Sequence, residues 1–255
     1  MKIWQSTAFG LALASSMPSF AAEFSFDRPG TGFGTGITPM GKLAWEQSLP
    51  TVSYSKASSD NGLEKTTTIQ GDMLFRTGLA QDLELQVGWD GPAWQQVKNA
   101  MGKTETHGLG DVSVGVKKAI DLHDDRMTMA LLGRVSFATG NTDFSNGHDI
   151  YTIGSTVAYQ QDDILSTSIT MLYALEGSDW SVTAVPTLNY KLSDKWSGYS
   201  EFVYRKKESQ SDQTSLATGV VYALNARTQL DASVGFGLAG DTPDYSGGLG
   251  VAFLF

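Results

Sequence analysis

Hydrophobic and polar residues alternate along most of the chain beyond residue 42. Between residues 126 and 138, every second residue is apolar or glycine, and the intervening positions carry Arg, Thr, Ser, Ala and one Leu. The same period recurs at residues 165–175, 180–190 and 230–238. Because successive side chains of a β-strand point to opposite faces, a period of two predicts strands. No convincing helical period follows residue 22.

Marking every such segment predicts about twelve strands, an even number of the kind found in bacterial outer-membrane barrels. The predicted connections fall into two classes. Tight ones lie near residues 80, 121, 161, 192 and 225, and longer, more polar ones lie at 56–65, 91–107, 139–149, 176–179, 206–214 and 239–245. Short turns on one rim and longer loops on the other are typical of a transmembrane barrel, whose short turns face the periplasm.

The charge of the two strand faces decides between two all-β folds. In a secreted soluble β-sandwich or ligand-binding barrel, the apolar face would be the inner one and the outer face would be rich in charge. Here the apolar face carries almost no charge, and the charged residues share their face with Gly, Ala, Ser and Thr. The prediction is therefore an all-β fold: a transmembrane antiparallel up-and-down β-barrel whose outer face contacts lipid.

The last eight residues, "GLGVAFLF", have the pattern of a closing barrel strand. Their alternate positions are apolar and the final residue is aromatic: Leu249, Val251, Phe253 and Phe255. This ending resembles the C-terminal signal by which bacterial outer-membrane proteins are recognised for insertion. The expected partners are therefore outer-membrane lipid and the barrel assembly machinery.

The composition excludes several other classes of protein. The 255 residues include no Cys, and 18 Lys+Arg stand against 27 Asp+Glu, which gives a formal net charge of −9. Without Cys there are no disulfides, thiolate metal sites or Cys nucleophiles. An acidic chain without a basic patch lacks the electrostatic footprint of a nucleic-acid-binding protein. No nucleic-acid partner, metal or cofactor is predicted.

The chain divides into three regions. Residues 1–22 combine a charge at Lys2, a short apolar run and small residues at Ser19 and Ala21, the arrangement of a secretory signal peptide. Residues 23–41 form a Gly/Thr/Pro-rich segment long enough to fold into a barrel as a plug. Residues 42–255 carry the strand pattern. Export together with a barrel predicts the bacterial outer membrane as the location.

Two short stretches resemble one family of outer-membrane barrels. The segment "FDRPGTGFGTGITPMGKLAWEQSLP" has an Asp-Arg-Pro start at residues 27–29, a Gly/Thr/Pro-rich linker, and then Gly41 and Glu46 in a Gly-x-x-x-x-Glu strand. The stretch "GLGDVSVGVKK" begins with Gly-Leu-Gly-Asp at residues 108–111. Both are similar to the family labelled as putative proteins of the meta-pathway of phenol degradation. The resemblance implies a transporter-like outer-membrane barrel, with "GTGFGTG" standing where members usually continue with acidic or Ser-Pro residues.

Enzyme chemistry has little support. The three histidines, His107, His123 and His148, fall in predicted connections, and none lies two residues from a Ser as in outer-membrane phospholipases. His148 beside Asp149 could form a protease-like pair, but a solvated loop histidine is the simpler interpretation. "GTGFGTG" lacks the Lys and the helix of a phosphate-binding loop, which favours a linker. The chain is predicted not to be an enzyme.

Function is therefore expected in the lumen. Extending the alternation inward gives charged candidates of both signs, for a selectivity lining or a paired structural network: Glu46, Asp72, Arg76, Glu84, Asp111, Lys117, Arg134, Lys191, Glu201, Arg205 and Asp231. The candidate anchors for the plug are Asp27, Arg28 and Pro29. The predicted function is a channel or passive transporter for small solutes, hydrophobic or aromatic compounds among them. The alternatives are a non-conducting structural or adhesive barrel and, less favoured, an outer-membrane enzyme.

Overall fold

The computed structural model describes residues 24–59 and 62–255, which form one closed antiparallel barrel. The predicted signal peptide lies outside the described residues. Twelve strands cross the barrel wall, and three of them are each divided into two segments, so that fifteen segments are numbered. They are β1 (Leu43–Ser59), β2 (Gly62–Gln70), β3 (Met73–Ala80), β4 (Leu83–Trp89), β5 (Pro92–Asn99), β6 (Gly102–Leu109), β7 (Val112–Ile120), β8 (Met127–Phe137), β9 (Ile150–Gln160), β10 (Leu165–Glu176), β11 (Asp179–Lys191), β12 (Trp196–Lys207), β13 (Gln213–Asn225), β14 (Thr228–Ala239) and β15 (Tyr245–Leu254).

The first and last strands close the barrel. β15 pairs with β1 from Ala44↔Leu254 to Tyr54↔Tyr245. The Phe255 amide adds a hydrogen bond of 2.8 Å to the Leu43 carbonyl, so the pairing runs to the end of the sequence. Closure leaves the barrel wall without an open edge along this seam, as a membrane-spanning sheet requires. The predicted twelve-stranded barrel is thus confirmed.

The predicted faces are those of the structure. On β8, Ala130 and Leu132 are buried inside the barrel, whereas Leu131 between them is 42% exposed on the outer surface. The C-terminal pattern follows the same rule, because Leu249 and Phe255 are both exposed. Near the barrel seam the Phe253 ring stacks on Trp45, with centroids 5.7 Å apart. Such outward aromatic rings are typical of barrel surfaces at a bilayer interface.

The rim that holds the start of β1 and the end of β15 is called the inner rim, and its turns are residues 81–82, 121–126, 161–164, 192–195 and 226–227. The opposite, outer rim has a single long connection among the described residues, 138–149. The predicted long loop at 91–107 is wrong, because β5 and β6 occupy most of it. The connection at 56–65 is likewise mostly strand, and that at 176–179 is a turn of only two residues, 177–178. These strands carry polar residues on both faces, so they lack the alternation of apolar and polar residues that predicts a strand.

At the outer rim, the four N-terminal strands continue beyond the barrel wall as a four-stranded sheet, which we call the extension: residues 51–59, 62–70, 92–99 and 102–109. It joins the barrel where the strands are interrupted, at residues 71–72, 90–91 and 110–111. The ladder still bridges these points, since the Gly71 amide bonds the Pro92 carbonyl at 3.0 Å. Gly91 has φ +69°, and a Cβ there would lie 1.7 Å from the Gly71 carbonyl oxygen, so this crossing requires glycine.

Across residues 24–59 and 62–255, no helix has the length and apolar character needed to cross a bilayer.

Candidate functional site: the barrel lumen

Residues 24–38 lie inside the barrel and contact its inward-facing side chains, and residues 39–42 connect them at the rim to β1. The segment is extended chain without regular secondary structure. An isolated β-bridge joins Met40 to Gly78 just before β1 begins. Gly78 permits this contact, since a Cβ there would come within 2.2 Å of the Thr38 carbonyl oxygen. We call residues 24–42 the lumenal segment. Because it has no ladder of its own, its backbone polar groups must find partners on the barrel wall.

Arg76, on β3, is the centre of a fully buried charge network. Its Nε and Nη2 reach the two Glu84 carboxylate oxygens at 2.9 and 3.1 Å, and its Nη1 reaches Glu46 Oε1 at 2.8 Å. The same guanidinium donates to two carbonyls of the lumenal segment, those of Ser25 at 3.0 Å and Gly36 at 3.1 Å. A planar guanidinium with five donors suits such a site, since it can bind one carboxylate bidentately and still reach others.

Lys117 and Asp27 extend this network onto β7. Lys117 Nζ lies 3.1 Å from both Asp27 Oδ1 and Glu84 Oε1, and it also donates to the Gly34 carbonyl at 3.2 Å. Gln86 reaches Asp27 Oδ2 at 3.3 Å. Cross-strand pairing explains the cluster, because Lys117 is directly opposite Glu84 in the sheet. Three carboxylates, from residues 27, 46 and 84, thus share two cations.

Arg28 bridges two acidic wall residues on either side of the seam between β1 and β15. Its Nη1 lies 3.1 Å from Asp72 and its Nη2 lies 3.3 Å from Asp231. Its amide donates to Glu46 at 2.8 Å, and its carbonyl accepts from the Gln229 side chain at 3.0 Å. Asp231 is completely buried, so the guanidinium compensates a carboxylate that would be costly without a cation.

Glu201, on β12, binds the lumenal segment at Thr31. The Thr31 amide donates to its carboxylate at 3.0 and 3.2 Å, and the Thr31 hydroxyl donates at 2.7 Å. Glu201 is 4% exposed, and its pairing partner on β11 is the uncharged Thr187. Among the described residues no Lys or Arg forms a salt bridge with it. A charged wall residue is therefore bound to the segment by neutral donors.

An apolar contact completes the docking of the lumenal segment. Phe33 is 9% exposed and packs inside the barrel with Ala130 and Leu132 of β8, against Leu172 of β10. Two residues further along, the Thr35 and Thr128 hydroxyl oxygens are 2.8 Å apart. Burying a phenylalanine contributes on the order of 2 kcal/mol, comparable to one charge-assisted hydrogen bond. The segment is thus bound by its side chains as well as by its backbone.

Two cavities remain in the lumen, one on each side of the lumenal segment. The inner cavity, near the inner rim, measures about 630 Å³, and the outer cavity measures about 410 Å³. Both are lined by residues of the stretch 27–33 and by Tyr199 and Glu201. The segment therefore lies where the two cavities meet.

The outer cavity has an acidic lining. It is lined by more carboxylates than guanidinium groups. The five carboxylates are those of Asp27, Glu46, Asp72, Asp90 and Glu201, and the two guanidinium groups are those of Arg28 and Arg134. Within the part of the chain that the structure describes, the Arg134 Nε is buried without a hydrogen-bond partner. An excess of negative charge in a confined space attracts cations and repels anions.

The remaining candidates lie away from this meeting point. Asp111 is 2% exposed and accepts hydrogen bonds from the amides of Gly140 and Asn146, so it fixes the 138–149 connection. Arg205 pairs with Glu176 near the outer rim. Lys191 pairs with Asp194 at the inner rim and is half exposed. Pro29, by contrast, belongs to the stretch 27–33 and lines both cavities.

Sequence reasoning missed several lumen residues that the same alternation could have found. Gln86 lies two residues beyond Glu84 on β4, and Tyr199 lies two residues before Glu201 on β12. Both are uncharged, so the pattern of charged residues alone does not identify them. Thr31 carried no signal, since a threonine in a Gly-rich stretch has no preferred partner. Glu176 belonged to a predicted connection.

The three histidines lie on separate elements. His107 belongs to β6, which corrects its predicted place in a connection, and it is opposite Trp94 on β5. His123 lies in the inner-rim turn 121–126, and His148 lies in the connection 138–149 near Gly177.

Comparison with known proteins gives the same fold. Residues 26–255 match the sequence model of a family described as "Putative MetA-pathway of phenol degradation". The COG4313 outer membrane channel from Pseudomonas putida F1 superposes with a TM-score of 0.65 at 14% identity, covering 89% of this chain and 99% of that one. The translocator domain of autotransporter NalP from Neisseria meningitidis gives 0.56 at 12% identity, covering 90% and 91%. KdgM porin in complex with disordered oligogalacturonate gives 0.54 at 11% identity, covering 84% and 99%. None of the curated proteins compared matches the chain.

Proposed function

Since the chain belongs to the family described as "Putative MetA-pathway of phenol degradation", we propose that it is an outer-membrane channel for small solutes whose passage is controlled by the lumenal segment. The observation that carries the proposal is the position of residues 27–33 between two cavities. Solute would enter the outer cavity, pass the segment and leave through the inner cavity. Passage of this kind needs no cofactor, since the gradient supplies the driving force.

The lumenal segment acts as a plug in this proposal. Its contacts with the wall are non-covalent, and they include hydrogen bonds and ion pairs from Arg28, Thr31 and Thr38. Each such bond has a carboxylate acceptor and contributes on the order of 2 kcal/mol net. Part of the segment can therefore leave the wall while the barrel stays folded.

A reversible cross-link tests the plug. The Thr35 and Thr128 hydroxyls are 2.8 Å apart, and the chain has no cysteine, so a Thr35→Cys/Thr128→Cys variant can form one defined disulfide between segment and wall. In a planar bilayer we expect low conductance when the pair is oxidised and parental conductance after reduction. The single-cysteine variants serve as controls and should not respond to the reductant.

Two outcomes would contradict the proposal. If the parent protein forms no conducting pore in the bilayer, the non-conducting structural barrel becomes the better interpretation. If the fully cross-linked variant conducts as well as its reduced form, the segment is not the controlling element. A channel would remain, but solute would pass beside the segment.

We further propose that aromatic solutes are among those conducted. Aromatic rings line the inner cavity on both the segment and the wall: Phe24, Phe26, Phe33, Tyr190 and Tyr199. Rings on opposite sides of a cavity can stack on a planar solute. Swelling of proteoliposomes in phenylalanine and in leucine, two zwitterions of similar size, separates the alternatives. Faster swelling in phenylalanine supports the preference, and equal rates would remove it without affecting the channel itself.

A further inference from the structure

Four lysines form one row across the extension. They lie on four adjacent strands, and the register pairs Lys56 with Lys65, Lys65 with Lys98, and Lys98 with Lys103. Directly opposite residues of neighbouring strands point to the same face, with Cβ atoms about 5 Å apart. All four side chains are exposed. We call these residues the lysine row.

The lysine row faces outward, on the surface continuous with the lipid-facing wall. Val52 pairs with Gly247 of β15, whose neighbours Leu249 and Val251 belong to the apolar outer face. Counting in twos from Val52 along β1 leads through Tyr54 to Lys56. The side chains of the row therefore do not point into the lumen, and they take no part in the proposed channel.

Three parallel rows change in polarity with distance from the bilayer. The first is largely apolar, the second polar and the third cationic: Val52, Ile69, Trp94 and His107; Tyr54, Thr67, Gln96 and Glu105; Lys56, Lys65, Lys98 and Lys103. Successive rows are two residues apart, or roughly 7 Å along the strand and about 5 Å along the normal of a barrel tilted near 45°. The lysines thus lie about 10 Å above the apolar row, at the height of lipid headgroups.

The charges of the row are only partly balanced within the described residues, because the carboxylates that contact its members, Glu105 and Asp244, are fewer than its four lysines. Lys103 forms a salt bridge with Glu105, and Lys56 lies over the Tyr54 ring at 5.5 Å. Neither Lys65 nor Lys98 forms a salt bridge there. Like charges directly opposite each other destabilise a sheet. The chain is otherwise acidic, with a net charge of −9, so the row is a local concentration of positive charge that calls for an anionic partner.

We propose that the lysine row binds the phosphate groups of the phosphorylated glycolipid that forms the outer leaflet of the outer membrane. Lipid A carries phosphates at headgroup height and acyl chains below, which matches the cationic and apolar rows in order and spacing. Each Lys near an anionic membrane surface strengthens attachment, and the effect adds along a cluster. The row would anchor the extension to the membrane surface and offset its own repulsion.

Binding of purified lipid A to the detergent-solubilised protein, counted by native mass spectrometry without divalent cations, tests the proposal. A variant with Gln at all four row positions should bind diphosphoryl lipid A at least tenfold more weakly than the parent. A matched variant, Lys118→Gln/Lys195→Gln/Arg126→Gln/Arg227→Gln, removes four exposed charges at the inner rim and should retain parental binding. A variant with Arg at the four row positions should also retain it.

Further measurements distinguish phosphate carried by lipid A from free inorganic phosphate. Dephosphorylated lipid A and phosphatidylcholine should bind parent and row variant equally, and inorganic phosphate at the lipid concentration should not compete. Equal binding of diphosphoryl lipid A by the parent and the four-Gln variant would overturn the proposal. So would an equal loss in the inner-rim variant. If the four-Gln variant does not fold, the pair Lys65→Gln and Lys98→Gln, each alone, should show intermediate loss, and parental affinity in both would overturn it.

Discussion

Thr31 donates both its backbone amide and its hydroxyl to the Glu201 carboxylate, at distances of 3.0 and 2.7 Å. The two residues are 170 positions apart in the sequence, and their contact lies where the inner and outer cavities meet. Neutral donors leave the negative charge of Glu201 in place. A solute that passes the lumenal segment must therefore pass a carboxylate.

We expect Glu201→Gln to reduce the preference of the channel for cations. The amide still accepts hydrogen bonds from Thr31 but carries no charge, so the permeability ratio of K⁺ to Cl⁻ should fall roughly twofold or more, as for the loss of one charge in a confined space. The reversal potential in a KCl gradient measures this ratio. Glu208→Gln, at an exposed position in the outer-rim connection 208–212, is the control. Equal reversal potentials in all three proteins would place the selectivity elsewhere.

Arg28→Ala should raise conductance and lower stability together. The change leaves the buried Asp231 carboxylate without its cation and frees one anchor of the lumenal segment. We expect a loss of about 1 to 3 kcal/mol in the free energy of unfolding and longer open times in single-channel records. Arg28→Lys should recover part of both, and Arg126→Ala, in an exposed turn, should change neither. Parental conductance in Arg28→Ala would mean that Arg28 does not restrain the segment.

Arg76→Met should lower the free energy of unfolding of the barrel more than Arg28→Ala does. It leaves Glu46 and Glu84 fully buried without their guanidinium partner, and breaking a buried pair from one side costs about 3 to 5 kcal/mol. Urea titration in lipid vesicles, followed by the gel shift of the folded form, measures the loss. Adding Glu84→Gln to the variant should restore part of the stability. A loss of less than 1 kcal/mol would show that the lumen is well hydrated at this point.

The two opposite faces of β8 should respond differently to an added arginine. Leu131 is 42% exposed on the lipid-facing side, so Leu131→Arg should cost about 2 to 4 kcal/mol. Ser136 pairs with Ser113 on the inward face, and Ser136→Arg should cost less because its guanidinium can reach water in the lumen. The same vesicle titration compares the two. A larger loss for Ser136→Arg would reverse the assignment of the faces.

Deletion of Phe255 should reduce the amount of assembled barrel. Its ring lies 6.2 Å from that of Phe253, and its amide forms the last hydrogen bond of the seam with β1. The final aromatic residue is also the expected recognition element for the assembly machinery. The fraction of heat-modifiable protein in the outer membrane measures assembly, and Phe255→Tyr is the control that keeps the ring. An unchanged fraction would mean that neither role depends on this residue.

The alternation of the sequence by itself determined the barrel, the strand faces and most of the lumen residues. The alternation is informative because a membrane-spanning strand contacts hydrocarbon on one side and a polar interior on the other. The polarity of each residue therefore indicates the face on which it lies. Glu46, Arg76, Glu84 and Lys117 were identified in this way, from positions spread over four strands. Their pairing could not be read from the pattern, because the register between strands is a property of the folded sheet.

The extension was missed for the converse reason. Residues 92–109 lead away from the bilayer, and beyond the apolar row that includes Trp94 both faces of the sheet contact water or polar surface, so the alternation that marks a strand disappears. The lysine row shares this origin, since only the register brings Lys56, Lys65, Lys98 and Lys103 side by side.

The lumenal segment shows the same division. Its composition indicated a chain that could fold into the barrel, and Arg28 was the expected anchor. The tertiary structure alone decided that this guanidinium meets Asp72 and Asp231, and that Glu201 receives Thr31. A segment without secondary structure has no period, so its partners are chosen by the shape and charge of the lumen into which it folds.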